Sequence, residues 1–499
     1  MGKGKLDKLE QSTLVEVVPG RVYYAASTRP PSYGFDMVEQ NNLVTHMFST
    51  DHSLVYWNFF LDFGPLNLGQ VYRFIEAMDA KLATVKADRV IYYSAPVGQR
   101  QANSVFLMGA YALLRLGRTA EEAFAPFRAM KLPPFHDATQ TVCTYRLTVL
   151  DCLRGMEHAM RCGFLDLANF DIDSYEHFEK VENGDMSWVF PGRFVAFAGP
   201  HESKSYDEMY PTCVPEDYHE HFLANNVRTV VRLNKKYYDE NRFKTVGIHL
   251  EDLYYPDGSC PNDDVLARFL EICESRPGHA IAVHCKAGLG RTGTCIGAYA
   301  MKHWGFTAAE VIGWMRVVRP GSVIGPQQQY LESIEARMHS EGGHVRRSIL
   351  APASPTSSAP LDAVVRSASS GLPFSVSVKH SLSHATASSA STAESTTTDE
   401  GDEDRDPATQ GDHLLYAKMS SPGAPKTRHS LMGGAASGGG GMQAVQIERS
   451  ASSRGSAGSP PNSPTSSFSA LRSAVSRKWY GGARSSTAPS VSSSSVGSS

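Results

Sequence analysis

Ile281-Ala282-Val283-His284-Cys285-Lys286-Ala287-Gly288-Leu289-Gly290-Arg291-Thr292-Gly293-Thr294 is the stretch from which the rest of the chain can be read. Ala280 to Val283 is an apolar run of the length of a buried parallel strand, and the segment after Arg291 has the length and spacing of a helix. The turn between them therefore stands at a helix N-terminus. Unpaired backbone N–H groups and the positive end of the helix dipole favour an anion there, and Gly288 and Gly290 let the backbone curl closely around it. A phosphate dianion fits such a turn.

Cys285 opens the loop, Arg291 closes it, and the five residues Lys286, Ala287, Gly288, Leu289 and Gly290 lie between them. The field that holds phosphate also stabilises a thiolate, because cysteines at helix N-termini beside cations have pKa values of roughly 3.5–7.5. Cys285 is thus a candidate nucleophile, and the planar Arg291 guanidinium can hold two phosphoryl oxygens at once. Thr292 is placed to hydrogen-bond the sulfur and improve it as a leaving group, while His284 is expected to orient the loop rather than move protons. An inert thiol at a strand end is the plainer reading of a lone cysteine. It leaves the strand, His-Cys, glycines and Arg-Thr at fixed spacing unexplained.

HCKAGLGRTG resembles the signature of cysteine-dependent protein phosphatases, and its surroundings are similar to the cell division cycle fourteen family of dual-specificity phosphatases. The similar stretches include Tyr175 to Trp188, Arg232 to Asp239, Tyr254 to Pro261 and Arg319 to Leu331, and the resemblance spans about Leu14 to Met338. It implies an α/β fold of two tandem dual-specificity-phosphatase-like domains, each a mixed sheet flanked by helices, joined by a helical linker and followed by a disordered C-terminal tail. The stretch from Asp257 to Cys285 is one residue longer than the family pattern around Arg276 to His279, which a helix-to-strand loop can absorb.

A chain of 499 residues with 41% hydrophobic content can hold two or three domains. Its net charge of −3 gives no pull towards nucleic acid or a membrane surface. All eight cysteines lie between Cys143 and Cys295 without the spacing of a disulfide framework or a zinc site, so a reducing, intracellular compartment and no metal or other cofactor are expected. No apolar stretch reaches the roughly 18 to 20 residues of a membrane span, so no membrane insertion is expected. Leu6 stands where a myristoylation motif has Ser or Thr, so no lipid anchor is expected at the opening Met-Gly.

Residues 1–13 read as an arm and 14–165 as a first α/β domain, with strands at Arg21 to Ala26, Ser53 to Phe59 and Arg89 to Tyr93. Its helices are expected at Leu68 to Lys81, Asn103 to Leu116, Ala120 to Met130 and Thr144 to Arg161. This domain contains one copy of an internal repeat. Gly109 to Phe124 aligns without gaps on Gly297 to Ile312, with 8 identities in 16 positions. The 188-residue offset puts Val97 opposite Cys285 and Asn103 opposite Arg291, and no cysteine precedes Cys143. The first domain is therefore a non-catalytic copy, even if the register shifts by a residue or two.

Residues 166–190 read as an acidic linker, in which a helix would bring Glu176, Glu179 and Glu182 to one face. A solvated acidic surface is the plain reading. The resemblance implies more: Glu176, Glu179 and Asp185 match a groove that accepts a basic residue C-terminal to a phosphorylated one. Residues 191–345 read as the catalytic domain, with strands at Arg193 to Ala198, Val227 to Leu233 and Ala280. Its helices are expected at Glu216 to Asn225, Asp263 to Cys273, Thr292 to His303, Ala308 to Val317 and Gln327 to Arg337. The loop then lies at the carboxyl end of its strand, where open α/β sheets bind ligands.

Thiolate attack on a phosphoester leaves an alkoxide that needs a proton donor opposite Cys285. The resemblance assigns this role to Asp257 in the turn-rich Tyr254 to Ser259; Asp263 and Asp264 are the rivals, but Asn262 or Asp263 is better explained as a helix cap. Cys260 is a candidate trap for the oxidised nucleophile, with a packed neutral thiol as its simpler reading. Gln327 to Gln329 either position hydrolytic water or are solvated at a helix start. The serine-, glycine- and proline-rich residues 346–499 are expected to be disordered, and Ser354, Ser421, Ser459 and Ser463 before prolines are candidate kinase targets.

The resemblance implies phosphoprotein substrates of proline-directed kinases, with preference for phosphoserine followed by proline and a nearby basic residue. It also implies action on phosphothreonine and phosphotyrosine, and a role in mitotic exit, cytokinesis or cilium and centrosome regulation. The implied locations are nucleus, nucleolus and cytoplasm, with centrosome, spindle or basal body. A phosphoinositide phosphatase would want a further cation where Leu289 stands; RNA triphosphatases share the Cys-x5-Arg loop in more basic surroundings. A non-catalytic phosphoprotein-binding scaffold is the reading from another class.

Overall fold

Two sheets follow one plan. The computed structural model describes residues 14–27, 37–40, 43–85, 89–205, 212–350 and 409–419. The first sheet contains β1 (Leu14–Val18), β2 (Val22–Ala26), β3 (Met37–Gln40), β4 (Leu43–Phe48) and β5 (Arg89–Ser94), in the order β1-β2-β5-β4-β3. The second contains β6 (Met186–Phe190), β7 (Phe194–Phe197), β8 (Val227–Arg232), β9 (His249–Asp252) and β10 (Ala280–His284), in the order β6-β7-β10-β8-β9. Each begins with an antiparallel hairpin, β1-β2 or β6-β7, whose second strand pairs in parallel with the sheet's central strand, β5 or β10. β10 is buried at every position, as a parallel strand covered on both faces must be, which is why Ala280 to Val283 reads as an unbroken apolar run.

Around the first sheet pack α1 (Leu68–Val85), α2 (Gly98–Leu116), α3 (Ala120–Phe124) and α4 (Val149–Arg161), followed by the short α5 (Ile172–Phe178). The second half adds α6 (Glu216–Ala224), α7 (Asn241–Lys244), α8 (Asp263–Glu274), α9 (Gly290–Trp304), α10 (Ala308–Val318) and α11 (Pro326–Leu350). A further helix, α12 (Gln410–Met419), lies in the segment expected to be disordered. α11 also runs into that segment, as far as Leu350, and the four serines before prolines fall outside the described residues.

The sequence repeat is a helix-stop, helix-start signal used twice. Gly117 (φ 64°) ends α2 and Gly305 (φ 77°) ends α9, both in the left-handed region that glycine adopts without a Cβ penalty. Two residues later Thr119 with Glu122, and Thr307 with Glu310, close capping boxes that start α3 and α10. Both copies keep this signal because each helix pair must turn sharply to cover its sheet.

The halves meet where α4 crosses α10. A Cβ on Gly155 would fall 2.3 Å from the Glu310 carbonyl oxygen, and one on Gly313 would fall 2.8 Å from Cys152 Cα. Beside this crossing His158 bridges the halves, with Nε2 2.8 Å from the Trp304 carbonyl oxygen and Nδ1 3.1 Å from Glu310 Oε2. Burial opposes protonation of His158, but Cys162, Glu310 and the Trp304 carbonyl outweigh it and push its pKa up to about 9. A raised pKa means that this pair stabilises the fold fully below the ordinary value of 6.5 and loses its contribution as pH rises through about 9. His158→Gln should therefore lower the thermal midpoint at pH 6 and flatten its fall between pH 6.5 and 9.5, as measured by calorimetry.

Other sequence expectations change as well: the helix expected over Ala120 to Met130 is α only to Phe124, and the one expected from Thr144 starts at Val149. Ser53 to Phe59 is not a strand; β4 takes that place in the sheet, and the segment runs as a loop whose Phe59 and Phe60 pack beside Leu289 of the other half. Its apolar residues, Leu54 to Trp57 and Phe59, gave it a strand's composition, but none of them is more than part-buried and Trp57 is exposed. Met186–Phe190, inside the stretch read as a linker, is an edge strand of the second sheet. The helix expected to align the linker glutamates stops at Phe178, so Glu179 is its C-cap, Glu182 sits in a separate 3-10 turn and Asp185 has φ 44°.

Candidate active site

The 284–291 loop is held from behind. His284 is fully buried; its Nδ1 donates to the Cys285 carbonyl (2.9 Å), so its Nε2 accepts from the Tyr238 hydroxyl (2.7 Å). Burial pulls its pKa down to about 3, leaving a neutral ring that fixes the loop and carries no proton to the chemistry at neutral pH. Arg319, also buried, donates to the carbonyls of Gly288 (2.8 Å) and Ala287 (3.1 Å). Drawing these carbonyls to one side leaves the other side of the loop to backbone N–H groups. Gly288 has φ 64°, and a Cβ there would fall 1.9 Å from the Phe197 carbonyl oxygen, so only glycine allows the loop to rest on β7.

Cys285, 3% exposed, follows β10 directly, and α9 begins at Gly290. Arg291 Nη1 donates to the carbonyls of Leu233 (3.2 Å) and Tyr255 (2.9 Å), and Nη2 lies 3.0 Å from Asp257 Oδ1. Its buried Nε has no partner, and neither has the buried hydroxyl of Thr292. An unmet buried polar group costs about 1–3 kcal/mol, so two beside one loop are retained where a ligand or reacting group can engage them. The expected bond from Thr292 to the Cys285 sulfur is not formed in this state.

Asp257 stands in the loop after β9, with Oδ1 3.1 Å from its neighbour's Gly258 N–H. Gln327 ties this loop to the catalytic turn: Nε2 donates to the Ser259 carbonyl (3.1 Å), and a Cβ on Gly290 would fall 2.8 Å from Oε1. Gln327 and Gln328 are buried, Gln328 accepting from Arg316 (2.5 Å), so neither is solvated at a helix start. Gln329 Nε2 instead bonds Thr144 Oγ1 (2.9 Å). The Cys260 thiol is half-buried and its pKa is raised by burial, as a packed neutral thiol requires.

The acidic residues are not equivalent. Glu176 is taken by Arg73, which grips it with Nε at 3.0 Å and Nη2 at 2.8 Å. Glu179 accepts from Asn67 (2.9 Å), and burial, reinforced by Glu176 and Asp185, raises its pKa to about 7. Asp185 is buried against Arg319 (2.9 Å) and Lys418, with Oδ2 left unpaired. Burial alone would raise its pKa, but Arg319 and Lys418 outweigh it and hold the carboxyl below its ordinary value.

Comparison with known proteins gives the family. A family model described as dual specificity protein phosphatase, N-terminal half, matches residues 16–159, and one described as polymorphic toxin system, DSP-PTPase phosphatase, matches residues 208–305. Dual specificity protein phosphatase CDC14AB of Danio rerio is 46% identical over 336 residues, which cover 66% of this chain and 54% of that protein. The CDC14A protein of Homo sapiens is 46% identical over 332 residues, with the same shares, so the chain spans about half the length of these two relatives. Dual specificity protein phosphatase CDC14C of Homo sapiens is 46% identical over 306 residues, 60% of this chain and 68% of its own length. The chain belongs to the CDC14 family of dual specificity protein phosphatases.

In this CDC14-family chain the first half repeats the strand-turn-helix without its cradle. Three residues, 95–97, join β5 to α2, where five, 285–289, join β10 to α9. Counted from the strand end, Ala95 rather than Val97 stands opposite Cys285, a shift of two residues. The Asp51 carboxylate accepts the Ala95 N–H (2.8 Å) and pairs with Arg100 (3.4 Å). An internal carboxylate thus occupies the turn that would otherwise face an anion. Sequence reasoning missed Arg319, Gln327's bridging role and the first half's Arg73 and Asn67. Arg319 had a signal, since it heads one of the family-like stretches, and Gln327 lies in the same stretch; Arg73 and Asn67 lie more than a hundred residues from their partners.

Proposed function

We propose that this chain is a cysteine-dependent dual specificity protein phosphatase, acting on phosphoserine, phosphothreonine and phosphotyrosine through a phosphocysteine. The observation that carries the reading is Arg291, which touches Asp257 and keeps a buried N–H unpaired at the loop opened by Cys285. The Cys285 thiolate attacks phosphorus, forming the S–P bond as the ester P–O bond breaks, and Asp257 gives its proton to the departing oxygen. Arg291 and the loop N–H groups stabilise the charge on the transferring group. Water then attacks the phosphocysteine and yields a proton to Asp257; the S–P bond breaks, with the Thr292 hydroxyl assisting the returning thiolate. Leu289 is buried among apolar side chains, which favours a peptide over a multiply charged inositol headgroup.

Preference for a basic residue near phosphoserine-Pro rests on Glu179 and Asp185, with Glu176 positioning Arg73. With a lysine in the groove, Glu179 titrates near 7 among Asn67, Glu176, Lys180, Asp185 and Lys418, so it is more fully charged at pH 8 than at pH 6. The kcat/KM ratio of a phosphoserine-Pro-x-Lys peptide to its Lys→Glu version should be about 10 or more. The ratio should rise between pH 6 and 8 and lose most of that rise in Glu179→Gln. A ratio near one in the wild type would reject the groove. From family membership we infer substrates of proline-directed kinases and a role in mitotic exit, cytokinesis or cilium and centrosome regulation. Nuclear, nucleolar and cytoplasmic location, with centrosome, spindle or basal body, belongs to the same inference; a tagged chain absent from all these structures through the cell cycle would overturn it.

A further inference from the structure

The helix α12 turns one face to the cleft. Gly411, Leu414, Leu415 and Lys418, at helical spacing, contact the site. At its start, Thr409 and Asp412 cap one another, Thr409 Oγ1 donating to Asp412 Oδ2 (2.8 Å). The Gly411 N–H then donates to Asp257 Oδ2 (2.7 Å), Asp412 pairs with Lys286 of the loop, and Lys286 Nζ also reaches Thr409 Oγ1 (3.4 Å). One turn on, Leu414 is 3% exposed in an apolar pocket made by Phe59, Phe60 and Ala138 of the first half with Ala287, Leu289 and Ile324 of the second. Another turn on, Lys418 meets Asp185.

We infer that Thr409–Met419 is an intramolecular ligand of the substrate cleft that competes with phosphopeptides. This rests on the phosphatase reading and deepens it. The segment fills the features a peptide substrate would use: Lys418 takes the acidic groove, Leu414 the apolar pocket between the halves, and the Gly411 amide the candidate acid. It offers no group to react, because the residue against Asp257 is a glycine whose Cβ, if present, would lie 2.8 Å from both Asp257 Oδ2 and Lys286 Cβ. Asp412 engages Lys286 at the rim and not Arg291, so phosphate affinity at the base of the loop is left for a substrate. Because the segment is covalently attached, modest contacts suffice for occupancy. The pocket that takes Leu414 further assigns an apolar subsite, one that would favour an aliphatic side chain in a substrate.

Three full-length variants test this, each altering only the segment: Leu414→Asp, Lys418→Glu and Gly411→Val. Each should lower KM for the phosphoserine-Pro-x-Lys peptide about 5- to 10-fold with kcat unchanged. A synthetic Thr409–Met419 peptide should inhibit the Leu414→Asp chain competitively, and its Leu414→Asp version should not. Hydrogen exchange gives a readout free of catalysis: amides of 412–419 should be protected in the wild type and exposed in Leu414→Asp. Absent protection, an unchanged KM in all three variants, or a fall in kcat/KM would overturn the inference. Protected amides with no phosphopeptide turnover by any variant would instead reject the phosphatase reading, while leaving the segment a resident of the cleft.

Discussion

Cys285→Ser is expected to abolish phosphate release, by a factor on the order of 10^4 or more, while leaving phosphopeptide affinity within a few-fold of the wild type. The asymmetry follows from how the site divides its work. Binding rests on the loop N–H groups, held outward by Arg319 and His284, and on Arg291, held by the Leu233 and Tyr255 carbonyls; none of these contacts uses the sulfur. Attack on phosphorus uses the sulfur alone. A serine hydroxyl in the same field remains protonated, and the adjacent His284 is not free to take its proton, since the neutral ring spends both nitrogens on Tyr238 and the Cys285 carbonyl. Anisotropy of a labelled phosphopeptide measures the binding, and acid-quenched labelling with a radioactive phosphopeptide measures the phosphoenzyme. Turnover persisting in Cys285→Ser would remove Cys285 as nucleophile. Equal binding without turnover would also dispose of the scaffold reading for the wild type, by showing that only the variant is reduced to one.

What the sequence made legible is what local spacing determines. The cradle is a continuous stretch: strand, cysteine, glycines, arginine and helix are successive residues, and their order alone implies their geometry. The duplicated sheet was legible for the same reason, through the Gly-x-Thr-x-x-Glu signal at Gly117–Glu122 and Gly305–Glu310, where a left-handed cap and a capping box leave the chain one path. Ser53 to Phe59 misled because apolar composition does not say what will meet the side chains. There Leu54 and Tyr56 pack at the edge of the main core, Phe59 packs beside Leu289 of the other half, and Trp57 stays exposed.

The long-range parts of the site were legible only in outline. A run of carboxylates marked the proposed groove, but charge along the chain could not show that Arg73 neutralises Glu176 or that Asp185 shares Arg319 with the loop carbonyls. That sharing has a consequence: Asp185 supports the loop as well as lining the groove, which makes Glu179 the cleaner residue for testing charge preference. Low hydrophobic content correctly marked the tail as poor in core-forming residues, yet α12 forms because the cleft supplies the apolar partner that the segment lacks in isolation. Composition measures what a segment can bury against itself, and says nothing of a surface elsewhere that is shaped to receive it.

Asp257→Asn should slow hydrolysis of a phosphoserine peptide by roughly 10²- to 10⁴-fold, but an aryl phosphate with a weakly basic leaving group far less. Asparagine keeps the size of the side chain and an oxygen for Arg291 Nη2, so the position of the guanidinium should survive; what is lost is the proton. A serine alkoxide is a poor leaving group without that proton, whereas a nitrophenolate departs unaided, and the ratio of the two losses isolates acid catalysis from any disturbance of binding. Asp257 also accepts from the Gly411 N–H, so its replacement could loosen α12 and lower KM at the same time. Placing Asp257→Asn in the Leu414→Asp chain removes that second effect before comparison. Equal losses for both substrates would mean that Asp257 acts by holding Arg291 and not as the acid. The donor would then have to be sought among the neighbouring carboxylates Asp263 and Asp264, at the start of α8.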